Sequence, residues 1–182
     1  MQTSSTIMQG PLLNGLMELG QLKELPRGAT LFRQDDPGEF VFILLDGLIE
    51  ISVTSHAGRK SVLAHCGPGE VLGEISVLDG KTRSADAVAL KDCKGRVVWR
   101  RDLMAYLARD AEANAALIEA LCGRIRNASD MAATNALTSA SARLAHCVLR
   151  LGDKWGAPDD GAIRITEPFS QAELGAFAGL AR

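Results

Sequence analysis

A chain of 182 residues and 19.3 kDa, 47% hydrophobic and 23% charged, has the make-up of an ordinary globular protein with room for one large domain or two small ones. Its 20 basic and 22 acidic side chains leave a formal net charge of -2 and a pI near 5.9, which excludes a uniformly basic nucleic-acid coat. No apolar run approaches the roughly 18 residues that a bilayer span needs, and Met1-Gln2-Thr3-Ser4-Ser5 lacks a basic-then-apolar signal pattern; no membrane association and a cytoplasmic location are expected.

Near the N-terminus, Leu12, Leu13, Leu16, Met17 and Leu19 have the spacing of a short amphipathic helix, with Pro11 tolerated in its first turn. From about Leu22 to Trp99 the pattern changes to short apolar bursts between glycine and charged turns: Thr30–Phe32, Phe40–Leu45, Leu48–Val53, Ser61–Ala64, Ala85–Ala89 and Arg96–Trp99. Short strands so closely spaced predict an antiparallel sandwich or barrel. Asp110 to about Asn135 contains no proline and a single glycine, Gly123, and predicts a long helix. Leu117, Leu121, Arg124, Ala128, Met131 and Asn135 recur at alternating steps of three and four, as a helix-pairing seam does. A second stripe, Ile118, Cys122, Ile125 and Ala132, is expected to pack on the sandwich of the same subunit, and two stripes together predict a dimer.

The Thr, Ser, Asn and Ala run from Thr134 to Ser141 marks a domain boundary and hinge. Beyond it, Ser141–Leu151 predicts a helix with Leu144, Ala145, Val148 and Leu151 on one face. Gly152–Gly161 reads as a polar turn, Ile163–Ile165 as a short strand, and Ser170-Gln171-Ala172-Glu173 as a capping box. Cys66, Cys93, Cys122 and Cys147 are too far apart for a CxxC site and are expected to be buried or idle thiols. His56, His65 and His146 form no HxH pair, so no metal is expected.

The chemistry concentrates in Gly73-Glu74-Ile75-Ser76-Val77-Leu78-Asp79-Gly80-Lys81-Thr82-Arg83-Ser84-Ala85. Gly67, Gly69 and Gly73 permit tight turns before a short helical segment, Ile75–Leu78, whose free amides suit an anion. Arg83 supplies a forked cation for phosphate and Ser84 a hydroxyl beside it. A carboxylate next to bound phosphate is repelled unless it faces a donor, and a ribose 2'-hydroxyl is a suitable donor for Glu74. The set describes a ligand with both phosphate and ribose.

This segment resembles the phosphate-binding cassette of cyclic-nucleotide-binding domains. From about Leu25 to the C-terminus the chain is similar to the catabolite activator (cAMP receptor protein)/FNR family of bacterial transcription regulators, including the jelly-roll pattern Arg27-Gly28-Ala29-Thr30-Leu31-Phe32. The resemblance implies an α+β fold: a β jelly-roll cyclic-nucleotide-binding domain over residues 1–109, a dimerisation helix over 110–136 and an incomplete winged helix-turn-helix over 137–182. It implies that Glu74 takes the ribose 2'-hydroxyl, that Arg83 and Ser84 take the cyclic phosphate, that the backbone around Gly73 and Ile75 completes the site, and that Ile51 and Ala64 line the pocket. Ala128 and Ser129 stand where cAMP-responsive relatives present two neighbouring hydroxyls to the adenine. Ala128 lacks one, and such a hydrogen bond is worth about 0.5–1.5 kcal/mol, so cAMP is the expected effector with reduced selectivity against cGMP.

Ser170–Leu180 resembles the first helix of the DNA-binding motif, and Gly179-Leu180-Ala181-Arg182 its turn and the start of the recognition helix, with Arg182 at the first reader position. The chain stops there, and residues 137–182 carry five basic and five acidic side chains, no surplus for docking on phosphates. The expected behaviour is a non-enzymatic switch: a homodimer through the 110–136 helix that binds nucleotide and reorients its C-terminal domains, yet binds DNA poorly. DNA and RNA polymerase are then partners of a longer protein. Arg83→Ala is expected to abolish binding and leave the fold intact. Two alternatives stand beside this reading: a regulator of the same family that is ligand-free, with Glu74 and Arg83 forming an ion pair, or that answers another effector, and a cyclic-nucleotide regulatory module that does not touch DNA. A cupin metalloenzyme lacks its histidine pair here, and an iron–sulfur sensor its N-terminal cysteines.

Overall fold

The apolar bursts become strands because each pairs with a neighbour on one side and buries a face on the other. A computed structural model describes residues 11–55, 58, 60–137, 139–165, 169–171, 174–175, 178 and 180. In chain order it contains α1 (Pro11–Leu19), β1 (Gln21–Leu25), β2 (Thr30–Phe32), β3 (Phe40–Asp46), β4 (Ile49–Thr54), β5 (Lys60–Cys66), β6 (Val71–Leu72), α2 (Glu74–Asp79), β7 (Asp86–Ala89) and β8 (Cys93–Trp99). There follow α3 (Arg100–Leu107), α4 (Ala111–Leu137), α5 (Ala140–Trp155), β9 (Gly156–Asp159) and β10 (Ala162–Ile165). Two four-stranded antiparallel sheets, ordered β1-β8-β3-β6 and β2-β7-β4-β5, form the jelly roll.

Strand β3 explains the unbroken apolar run at Phe40–Leu45, for it is covered on both faces. Phe42 and Leu44 enter the core between the sheets with Leu25, Leu31, Phe32, Ile49 and Val97. Val41 and Ile43 face the opposite way, into a second core built from Leu12 and Leu16 of α1, Leu103 and Leu107 of α3, and Ala113, Leu117 and Ala120 of α4.

That second core reverses one expectation. Leu117 and Leu121, read as a pairing seam, pack against the jelly roll, and Ile118 and Ile125, expected on the sandwich, are 57% and 65% exposed, with Cys122 exposed between them. Ala113 and Ala120 supply the reason: small side chains at the contact let the α4 backbone approach α1 closely.

The C-terminal unit also departs from expectation. Helix α5 starts one residue earlier, capped by Ser139, whose hydroxyl accepts from the Ala142 amide, and it runs on to Trp155. The region read as a polar turn holds β9, which pairs with β10 through the two-residue turn Asp160–Gly161. Both turn residues have positive φ, 43° and 79°, as a tight hairpin of this twist requires. A small core of Cys147, Leu151 and Ala178 joins this unit. His56, Glu173, Gly179, Ala181 and Arg182, the DNA-reading candidate, lie outside the described residues. Among the described residues no helix is long and apolar enough to cross a membrane.

Outside the inter-sheet core, β4 and β5 bring together Glu50 and His65, which are cross-strand partners. Lys60 Nζ lies 2.5 Å and His65 Nε2 3.7 Å from the Glu50 carboxylate. His65 and then Lys60 hold that carboxyl down at about 2, against the opposing effect of burial.

Two measurements check this packing. Leu16→Ala removes a side chain from the second core and should lower stability by about 3 kcal/mol in urea unfolding. Glu50, whose carboxyl is depressed in the folded state, contributes stability above its ordinary value of 4.5 that is lost as pH falls toward 2. Glu50→Gln should therefore cost roughly 2 kcal/mol near neutrality and flatten the fall in melting temperature across that acid window.

Candidate functional site

The cassette begins where β6 runs into α2. Gly73, at φ 82°, occupies a left-handed conformation that side chains disfavour, and a Cβ there would run into Arg83 Nη1. The six-residue helix α2 ends at Gly80, also left-handed, whose amide donates to Ser76 O. The chain then turns back so that Arg83 lies beside Gly73.

Arg83 is 2% exposed, and protein acceptors engage three of its five N–H groups. Nη1 donates to Gly73 O at 2.8 Å and Ser76 Oγ at 2.9 Å, while Nη2 donates to Phe40 O at 2.7 Å. Its guanidinium lies 4.3 Å from the Phe32 ring centroid and 4.6 Å from that of Phe40, two cation–π contacts. Burial pushes its pKa down and Glu74, Asp36 and Glu39 oppose this; a guanidinium stays charged under such conditions. Nε has no hydrogen-bond partner among the described residues.

A small cleft open to solvent lies beside this arginine. Its polar end is Gly73, Glu74, Ser76, Arg83 and Ser84, and its apolar wall is Phe32, Ile51, Cys66, Val71, Leu72 and Ile75. Five cassette residues singled out from the sequence, Gly73, Glu74, Ile75, Arg83 and Ser84, thus meet in one cleft, with Ile51 on its wall. Ala64 does not line it; it packs at the edge of the inter-sheet core. Ala128 and Ser129 are exposed on α4 and do not reach the cleft of their own chain either.

What α4 brings to the cleft is Arg124. Its Nη1 is paired with Glu74 Oε1, and its Nη2 donates to Val71 O at 2.5 Å. Glu74 is 3% exposed, and this partner is what makes a buried carboxylate tolerable there. The Glu74–Arg83 ion pair that belonged to the ligand-free alternative is not formed: Glu74 pairs with Arg124, and Arg83 is engaged by Gly73 O, Ser76 Oγ and Phe40 O. Sequence reading placed Arg124 only in the helix seam, although a charge at one position of an otherwise apolar stripe is itself a signal of a buried partner. Phe32 and Cys66 were also missed.

Residues 22–110 match the cyclic nucleotide-binding domain family. The chain is 31% identical over 149 residues to the cyclic AMP receptor protein of Thermus thermophilus, covering 78% of this chain and 69% of that one. The chain belongs to the CRP/FNR family of transcription regulators. It is 28% identical over 159 residues to the CRP-like cAMP-activated global transcriptional regulator of Mycobacterium tuberculosis, covering 87% of this chain and 71% of that protein. The crystal structure of the Thermus thermophilus catabolite activator protein superposes with a TM-score of 0.64 at 27% identity, covering 97% of this chain and 81% of that one. Its CRP/FNR relatives are regulators of transcription, and the chain carries their cyclic-nucleotide-binding domain.

The Glu74–Arg124 pair is testable by a double-mutant cycle. Glu74→Gln and Arg124→Met should each destabilise, and the double variant should recover part of the loss. The coupling should be roughly 1–3 kcal/mol by urea unfolding; independent, additive effects would remove the pair as a tie between α4 and the cassette.

Proposed function

We propose that this chain is the sensing part of a dimeric, cAMP-responsive transcription regulator. The observation that carries the reading is Arg83 Nε, a buried cationic donor without a partner, set beside the exposed Ser84 in a cleft that also holds a carboxylate. A buried charged donor left unpaired is costly, and an anion at this end would satisfy it. Ser84 would donate its hydroxyl to the same anion. Glu74 would accept from a ribose 2'-hydroxyl, and the apolar wall of Ile51, Cys66 and Leu72 would cover the nucleoside.

The domain division follows the expectation: residues 1–109 sense, 110–136 pair with a second copy and 137–182 belong to the DNA-binding unit, with RNA polymerase a further partner of the longer protein. The exposed Ile118, Cys122 and Ile125 face of α4 is the surface offered to the second copy. Ala128 and Ser129 stay exposed on one chain and would meet the base only across that pair. The switch lies in Glu74, which either holds Arg124 or turns to the sugar hydroxyl, so nucleotide changes how α4 is held. The relatives' description as cAMP-activated supports cAMP as the ligand, with cGMP its competitor.

One observation favours the alternative of a regulator that binds no nucleotide: both terminal nitrogens of Arg83, and Glu74, already have protein partners. The structure also changes the expected outcome of Arg83→Ala, which would remove donors to Gly73 O, Ser76 Oγ and Phe40 O and should destabilise as well as abolish binding. Ser84→Ala is the cleaner variant. Calorimetric titration should show saturable cAMP binding, weaker by about tenfold in Ser84→Ala, with cGMP weaker than cAMP. No heat with either nucleotide would leave the alternative.

A further inference from the structure

The cleft holds one nucleophile to which the nucleotide reading gives no chemistry. Cys66 ends β5 across from Ile49, at the boundary between the inter-sheet core and the cleft, while His65, one residue earlier, faces the other way. Cys66 forms no disulfide and is 8% exposed, and the cleft it lines opens to solvent. A second observation gives this position its chemical character: Arg83 lines the same cleft, is 2% exposed, and has an Nε without a partner among the described residues. The attacking form of a cysteine is the thiolate, which cations favour. The cleft sets two guanidiniums, Arg83 and Arg124, against one carboxylate, Glu74. Glu70 accepts from the Gly67 amide at 2.6 Å and does not line the cleft. The other cysteines lack this setting. Cys93 is buried between the sheets, where its thiol donates to Lys91 O at 3.2 Å and burial pushes it up. Burial pushes the Cys147 thiol up as well, within the C-terminal core, and Cys122 is exposed on α4, away from the cleft lining.

We propose that Cys66 is a modification site: a hydroperoxide oxidises its thiol inside the cleft, and the oxidised side chain and the nucleotide exclude one another. What the modification excludes rests on the nucleotide reading above. In the step itself the thiolate sulfur attacks one peroxide oxygen, so that an S–O bond forms as the O–O bond breaks. The bonding pair of the O–O bond leaves with the second oxygen, which takes a proton from solvent. Sulfur is oxidised by two electrons to the sulfenic acid and the peroxide is reduced to water or an alcohol, a change that a small thiol reverses. Hydrogen peroxide suits a small cleft, being little larger than the water it displaces. The added oxygen narrows the wall that would cover the nucleoside and sets a polar group against Ile51 and Leu72. Bound nucleotide in turn covers the sulfur. The exclusion is reciprocal, as competition for one space requires.

The test exposes the chain to hydrogen peroxide with dimedone, which traps sulfenic acid, and locates the adduct among the four cysteines by peptide mass spectrometry. Cys66 should be labelled, and cAMP at a hundred times its dissociation constant should slow that labelling about a hundredfold while labelling of Cys122 continues. After peroxide alone, calorimetry should show cAMP bound about tenfold more weakly, with the loss restored by dithiothreitol. Cys66→Val, whatever its own affinity, should bind cAMP equally before and after peroxide. Absence of label at Cys66, labelling that ignores saturating cAMP, or an affinity unchanged once Cys66 is oxidised overturns the proposal and leaves the nucleotide site intact. If the untreated chain binds no cAMP, the nucleotide reading falls and the exclusion with it, and label at Cys66 then supports the modification site alone.

Discussion

The structure depends on how one buried guanidinium is satisfied. Arg83 lies against two phenyl rings, spends three of its N–H groups on Gly73 O, Ser76 Oγ and Phe40 O, and leaves Nε without a partner among the described residues. Each of these partners belongs to a different part of the cassette wall: the turn before α2, α2 itself and the start of β3. The same side chain therefore shapes the cleft and supplies its charge. Gly73 follows from this, since only a residue without a Cβ leaves room for Arg83 Nη1.

Glu74 extends the constraint from the jelly roll to α4. A carboxylate buried to this degree needs a cation, and Arg124 reaches it from the helix that also presents Ile118 and Ile125 to solvent. The same arginine donates to Val71 O, so one residue of α4 holds both the first residue of α2 and strand β6.

Much of this could be read from the sequence where a residue pattern has a single physical solution. The six apolar bursts became β2, β3, β4, β5, β7 and β8, and the glycine-bounded cassette brought its residues into one cleft. β1 escaped notice because it is an edge strand with four exposed residues of five and no alternation, and β6 is only two residues long. The β9–β10 hairpin carried a usable signal in Asp160–Gly161 that was absorbed into a longer polar turn. The two stripes of α4 were found, but Leu117 and Leu121 of the seam pack on the jelly roll and Ile118 and Ile125 of the other are exposed, since periodicity gives the faces of a helix and not what each face meets. Arg124 and Cys66 were hidden for related reasons: one acts across 50 residues of sequence, and the other is told from its neighbour His65 only by which way the strand faces.

The central claim is that Arg83 Nε is the donor kept for an anion, and it can be observed directly. In protein labelled with nitrogen-15, the Nε–H resonance of Arg83, assigned by its loss in Arg83→Lys, should move downfield and become protected from exchange as cAMP is added. Adenosine, which carries no phosphate, should leave it in place. A resonance unmoved at saturating cAMP would contradict the account and return Arg83 to a purely structural role.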